Sequence, residues 1–226
     1  MVASPDPVAF DLAGEWFGTP AIVMSVLPGH LVLTPDDVER WTVELASALA
    51  AIHSADLAGY PVVLNRPTIW ERVSLDGIAG DKRSKVVATA ITALRRTEWE
   101  RVFCHCDFHP GNTLYLGGRL AGVCDWASAR MAPPLSDVGR CRAALCVWPG
   151  GEAADLFRDH YARMTGRPMQ GLALWDLFSA YLSLQSVRNL MSMYDVAGVE
   201  LTVEVAMARV SALADRAAAE ARLFVR

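Results

Sequence analysis

The chain has 226 residues, of which 53% are hydrophobic and 20% charged, and its net charge is -4. This composition is typical of a folded protein with one sizeable core, and the scattered basic residues do not indicate nucleic acid as a partner. The apolar run at residues 21–27 is too short to cross a bilayer, and no lysine or arginine precedes Arg40. We therefore expect a cytoplasmic protein with no membrane partner. The sequence does not indicate an oligomeric state.

The secondary structure predicted in chain order is mostly helical. Residues 8–12 and 20–27 predict two short strands, and Thr34 is the predicted N-cap of a helix that runs to Ile52. Residues 59–83 are predicted as loop. Apolar residues recur at helical spacing over residues 84–96, 136–148, 151–164, 172–194 and 201–222.

The five cysteines do not indicate a disulfide framework, because their number is odd and nothing indicates secretion. The spacing of Cys104 and Cys106 predicts that both lie on one face of a strand. With His105 and His109 nearby, a zinc site is an alternative. However, two more ligands would be needed on that face, and His105 points the other way in an extended strand. We favour small, buried cysteines.

Residues 113–125 predict a β-hairpin, since Gly117-Gly118 supplies the positive φ angles of a two-residue turn. Counting back from this turn pairs Asn112 with Val123, and Asp125 lies two residues further on the same face. Diagonal neighbours of this kind have Cβ atoms roughly 7 Å apart, so an amide oxygen and a carboxylate could bind one Mg²⁺ ion. The hairpin therefore predicts part of a magnesium site.

Asp107 stands five residues before Asn112, across a bend at Pro110-Gly111, so its carboxylate can face the same pocket. This is the arrangement that phosphoryl transfer needs, with one carboxylate to orient the attacking hydroxyl beside two metal ligands. His105 would then support the loop by hydrogen bonds to its backbone.

These motifs resemble the aminoglycoside phosphotransferase and choline kinase family, relatives of protein kinases that phosphorylate hydroxyls of small molecules. The resemblance is carried by HCDFHPGN at 105–112 and VCDW at 123–126. TPAIVMSVLPG at 19–29 is similar to the family's last N-lobe strand and hinge. The resemblance implies an α+β, mainly α, kinase-like catalytic lobe at residues 31–226, preceded by a remnant of the nucleotide-binding lobe at residues 1–30.

The resemblance also implies a role for each site residue, with ATP and Mg²⁺ as cofactors and a small-molecule hydroxyl compound as the partner. The implied residues are Asp107 as the catalytic base, Asn112 and Asp125 as the magnesium ligands, the backbone of Ser25, Val26 and Leu27 as the adenine contact, and His105 and Asp137 as supports. For Asp137, an alternative is that it caps a helix beginning near Val138.

The chain departs from the family pattern in several places. Family members commonly have glycine at the position of Cys106. No G-x-G-x-x-G occurs, and the two lysines, Lys82 and Lys85, lie too far along the chain to be the strand lysine that contacts ATP phosphates. We expect that the true protein is a full kinase whose start is missing here. The alternatives are a catalytically impaired binding module and a metal-dependent hydrolase built on His105 and Asp107.

The substrate is not predicted by the sequence. Several acids of the later helices could bind a cationic substrate, or they could be solvated helix faces. They are Asp155, Asp159, Asp176 and Asp195.

Overall fold

The computed structural model describes residues 2–57, 67–75, 82–196 and 198–221. The described strands form three antiparallel pairs, which are β1 with β2, β3 with β6 and β4 with β5. The strands are β1 (Pro7–Asp11), β2 (Ala21–Met24), β3 (Val102–Cys104), β4 (Thr113–Leu116), β5 (Arg119–Val123) and β6 (Arg130–Ala132). The helices are α1 (Val38–His53), α2 (Ile69–Arg72), α3 (Lys82–Arg96), α4 (Pro134–Val147), α5 (Gly151–Thr165), α6 (Leu172–Val196) and α7 (Val203–Ala221). The predicted α+β, mainly α, fold is confirmed.

The long helices build the core around α4. This helix is buried along most of its length and packs against α5, α6 and α7, while α1 packs against α5. The five predicted helices after residue 83 are confirmed as α3 to α7. The predicted loop at 59–83 is interrupted by α2, and much of the remainder lies outside the described residues. No helix in the described ranges is long and apolar enough to cross a membrane.

Helix α1 begins later than predicted. Its N-cap is Asp37, whose carboxylate accepts the backbone N–H of Arg40 at 2.9 Å. The prediction of Thr34 as the N-cap is therefore wrong. The acid nearest the first helical turn satisfies the exposed amide there and interacts favourably with the positive end of the helix dipole.

The β1–β2 hairpin confirms the two strands predicted near the N-terminus, and most of its apolar side chains are exposed. It is followed by a short segment that contacts the β4–β5 hairpin, where His30 and Tyr115 exchange backbone hydrogen bonds of 3.0 and 2.9 Å. The side chain of Leu27 lies against Gly122, where an added Cβ would approach it to 2.9 Å. The division of the chain at residue 30 stays a prediction.

The β4–β5 hairpin has the predicted turn but not the predicted register. Gly117 and Gly118 have φ angles of 59° and 74°, as a two-residue turn requires. However, Val123 pairs with Thr113, because the register shifts between Leu114 and Tyr115. The predicted pairing of Asn112 with Val123 is therefore wrong, because a bulge puts one extra residue on β5.

Candidate active site

The loop after β3 carries the first candidate residues. Strand β3 ends at Cys104, and Cys106 has a φ angle of 62°, in the left-handed region. The two cysteines therefore do not share one face of a strand, which corrects the prediction. A left-handed conformation costs a residue with a side chain about 1–2 kcal/mol, so the surroundings must hold Cys106 in place. The glycine that is common here in the family of the resemblance would adopt this conformation without strain, whereas Cys106 does not.

Asp137 holds this strained loop. It is fully buried in α4, and its two carboxylate oxygens accept the backbone N–H groups of His105 at 2.8 Å and Cys106 at 2.7 Å. Helix α4 begins at Pro134, so the alternative that Asp137 caps a helix starting near Val138 is wrong. The carboxylate satisfies two amides that would otherwise be buried without a partner.

His53 is a buried residue of this cluster that the sequence did not indicate. Its Nε2 lies 3.2 Å from the Asp137 carboxylate, and its Nδ1 lies 2.7 Å from the hydroxyl of Tyr161. The three partners come from α1, α4 and α5, so only the folded helices bring them together. No local spacing in the sequence could have revealed this contact.

His105 connects the loop to the segment that leads to Asp125. Its Nε2 donates to the carbonyl oxygen of Cys124 at 2.9 Å, and its Nδ1 accepts the backbone N–H of Asp107 at 3.3 Å. Both ring nitrogens are thus used in hydrogen bonds to the backbone. This disfavours the hydrolase alternative, in which His105 would bind a metal.

The Asp107 side chain is 34% exposed, and its Oδ1 accepts the Nε–H of Arg140 at 2.8 Å. His109 lies further away, with 3.9 Å between its Nε2 and the same carboxylate oxygen. Burial and the charge of Arg140 lower the pKa of His109 to about 4, so this histidine is neutral at pH 7. Arg140 is therefore the cation that balances Asp107. It lies one turn after Asp137 on α4, a spacing that could have indicated it in the sequence.

Asn112 and Asp125 lie at the same end of the β4–β5 hairpin. The side-chain amide of Asn112 donates to the carbonyl oxygen of Asp107 at 3.0 Å, and its backbone carbonyl accepts the N–H of Cys124, also at 3.0 Å. Asp125 follows Cys124, has a φ angle of 61° and exposes its side chain. The Asn112 amide oxygen and the Asp125 carboxylate are hard oxygen donors of the kind that Mg²⁺ prefers.

The three residues predicted to contact adenine lie beside this hairpin. Ser25 exchanges two hydrogen bonds of 2.8 Å with the backbone of Asp6, so its own N–H is already used. Val26 is 94% exposed, and Leu27 lies against β5. The adenine contact stays a prediction.

Three buried groups have the composition of a metal site but not its chemistry. Ligand atoms of His53, Cys104 and Asp137 lie within 4.8 Å of one another. The Cys104 thiol donates to the carbonyl oxygen of Ala132 at 3.3 Å, and burial raises its pKa well above the ordinary value. A protonated thiol is a poor zinc ligand, and the other two groups are already hydrogen-bonded. This cluster supports the loop through hydrogen bonds.

Three of the four acids considered as contacts for a cationic substrate, all but the exposed Asp195, lie elsewhere. The Nε–H of Arg142 donates to the two carboxylate oxygens of Asp176 at 3.0 and 3.1 Å, and its Nη1 donates to Asp155 at 3.1 Å. Arg158 contacts Asp155 at 3.2 Å and Asp159 at 2.7 Å. These acids surround a separate cleft between α4, α5, α6 and α7. They are partners of arginines and do not face Asp107.

A second cleft of about 520 Å³ opens at Asp107, and α2, α4 and α6 contribute to its walls. Neither Asn112 nor Asp125 lines it. Asp107 therefore stands between the end of the hairpin and a cavity large enough for a small molecule.

The sequence matches one protein family over most of its length. Residues 1–175 match the profile of the phosphotransferase enzyme family (APH). A curated relative, the homoserine kinase of Methylocella silvestris, is 27% identical over 148 residues, which are 61% of this chain and 46% of that enzyme. The matched region thus spans about half the length of this relative.

Solved structures of aminoglycoside phosphotransferases have the same kinase-like fold. A thermostable mutant of APH(4)-Ia in its apo form gives a TM-score of 0.60 at 21% identity, covering 95% of this chain and 78% of that chain. A mutant of APH(4)-Ia in a ternary complex with ADP and hygromycin B gives a TM-score of 0.59 at 20% identity, covering 96% and 77%.

Proposed function

Because the chain belongs to the phosphotransferase enzyme family, we propose that it transfers a phosphoryl group from ATP to a hydroxyl group of a small molecule. The observation that carries this proposal is the position of Asp107. Its side chain lines the cleft, while its backbone carbonyl is bound by Asn112 at the hairpin end. One carboxylate between a cavity and a pair of hard oxygen ligands fits phosphoryl transfer.

Each site residue has a distinct role in this proposal. Asp107 orients the acceptor hydroxyl and accepts its proton as the new bond forms. Asn112 and Asp125 would hold Mg²⁺, which when bound would neutralise negative charge on the phosphates. Arg140 holds the Asp107 carboxylate in position through the bond of 2.8 Å between Nε and Oδ1. His105 and Asp137 keep the loop in the conformation that presents Asp107.

Nucleotide binding is supported by the neighbours, one of which binds ADP. The acceptor is left open by the comparisons, because that neighbour also binds hygromycin B while the curated relative is a homoserine kinase. The five cysteines are free, which fits the cytoplasm as the proposed location.

A second candidate is a binding module with little or no catalysis. The 226 residues contain no G-x-G-x-x-G and no lysine before Lys82, so they do not themselves supply the groups that bind the phosphates in kinases. The glycine-rich loop and strand lysine of kinases bind the phosphates, and their loss would weaken nucleotide binding.

The products of a single reaction mixture test the proposal. The protein is incubated with ATP, Mg²⁺ and a panel of small hydroxyl compounds, and the mixture is followed by ³¹P NMR. We expect the signal of a phosphate monoester to grow together with that of ADP. Inorganic phosphate without a monoester would support a hydrolase, and unchanged ATP would support the binding module.

A further inference from the structure

The cleft beside Asp107 carries an excess of positive charge. Among its described lining residues, the charged ones are Asp107, Arg72, Arg130 and Arg140. Asp107 and Arg140 balance each other at 2.8 Å. Arg130 donates to two backbone carbonyl oxygens, both at 2.7 Å, and it forms no ion pair with a carboxylate of the described residues. Arg72 is exposed and has no ion-pair partner among the residues that the structure describes.

The acid next to Arg72 in the sequence does not balance this charge. The carboxylate of Glu71 lies 2.9 Å from Arg101 and accepts hydrogen bonds from both the backbone and the hydroxyl of Thr68. Burial alone would raise the pKa of Glu71, but the contacts with Thr68 and Arg101 together lower it, so the carboxylate is ionised and already paired. Glu71 is not among the residues that line the cleft.

The cleft walls also contain buried donors without acceptors. The hydroxyl of Ser183, a residue that is 2% exposed, has no hydrogen-bond partner in the described part of the chain. The indole N–H groups of Trp70 and Trp175 are likewise buried without a partner. An indole N–H can only donate, and a buried donor without an acceptor costs about 1–3 kcal/mol. These atoms are closed to water, so the two arginines and not these donors are the groups that a ligand in the cleft would contact.

We propose that the cleft selects a hydroxyl compound that also carries a carboxylate. This inference rests on the proposed function, because it assigns the cleft to the phosphate acceptor. The hydroxyl would lie at Asp107, and the carboxylate would lie toward Arg72 and Arg130, where a bidentate contact with a guanidinium is available. A polycationic acceptor is disfavoured, because its ammonium groups would meet the two arginines.

Three four-carbon alcohols that carry a carboxylate, no charged group or an ammonium group at the far end of the chain test this inference. They are 4-hydroxybutanoate, 1-butanol and 4-amino-1-butanol, and their binding is measured without nucleotide by ligand-observed NMR and by the change in tryptophan fluorescence. We expect the hydroxy acid to bind at least 10-fold more tightly than either of the others. Equal affinities, tighter binding of the amine or no measurable binding of the acid would overturn the inference.

Arg72→Gln and Arg158→Gln form a matched pair of variants. Arg72 is exposed at the cleft, while Arg158 lies on α5 at the other cleft, so neither change is expected to unfold the protein. Arg72→Gln should weaken binding of the acid by about threefold and leave 1-butanol unchanged, since it removes one charge-assisted contact with the carboxylate at an exposed position. Arg158→Gln should change neither, and equal effects of the two variants would overturn the inference.

The failure of the inference can be distinguished from the failure of the proposed function. Selective binding of the hydroxy acid by a protein that never forms a phosphate monoester would leave the selectivity standing and remove the transferase. Conversely, transfer to neutral or cationic alcohols in preference to the acid would confirm the transferase and overturn the selectivity.

Discussion

Asp107→Asn is expected to lower the rate of phosphoryl transfer by about 10²-fold or more, because the change removes proton acceptance and keeps the size of the side chain. The loop itself should survive, since it is held by the backbone N–H groups of His105 and Cys106 bound to Asp137, which the change does not touch. The measurement is the initial rate of phosphate monoester formation at saturating ATP and Mg²⁺.

Asp159→Asn is the matched control for this change. Asp159 is 52% exposed on α5 and pairs with Arg158 away from the cleft, so the same acid-to-amide substitution should leave the rate unchanged. Urea unfolding of both variants checks that the fold is kept. A rate for Asp107→Asn within about threefold of the wild-type rate would exclude Asp107 as the general base.

Asp137→Ala is expected to destabilise the fold by about 3 kcal/mol or more. The change leaves two backbone N–H groups buried without an acceptor, each costing about 1–3 kcal/mol, and it removes the carboxylate that contacts His53. Cys106 would also lose one of the bonds that hold its left-handed conformation. The free energy of unfolding in urea measures the effect.

Asp137→Asn separates the hydrogen bonds from the packing. The amide retains one oxygen that can accept one of the two N–H groups, so its loss of stability should lie between those of the wild type and Asp137→Ala. Asp159→Asn serves again as the surface control and should change stability by less than about 0.5 kcal/mol. A loss below about 1 kcal/mol for Asp137→Ala would contradict the role of Asp137 as the support of the loop.

Local patterns predicted the long helices α1 and α3 to α7 because these are long and periodic, whereas the short elements α2 and β6 were not predicted. The Gly117-Gly118 turn was also predictable from local sequence, since a two-residue hairpin turn requires two adjacent residues with positive φ. The register was not predictable, because a bulge on β5 leaves no local signal and displaces every pairing beyond it. Asn112 therefore lies opposite Cys124, one residue from the predicted partner.

In the candidate site, too, the residues that are close in sequence were predictable and the contacts between distant helices were not. Asp107, Asn112 and Asp125 lie within 19 residues of sequence, so the loop and the hairpin that carry them could be predicted from local patterns. The contact of His53 with Asp137 joins residues 84 positions apart, and the cleft walls come from three separate helices. Such contacts depend on how the helices pack, which propensity and periodicity do not determine.

We propose that the end of the β4–β5 hairpin holds a metal ion next to Asp107, and paramagnetic broadening by Mn²⁺ tests this placement. Amide NMR spectra of the wild type and of Asp125→Ala are recorded with increasing Mn²⁺, with Asp159→Ala as a control for surface carboxylates. We expect the strongest broadening at Asn112, Asp125 and Asp107, and its loss in Asp125→Ala alone, because the carboxylate is a required ligand. Broadening centred on Cys104 and His53, or broadening that Asp125→Ala does not change, would contradict a metal site at the hairpin end.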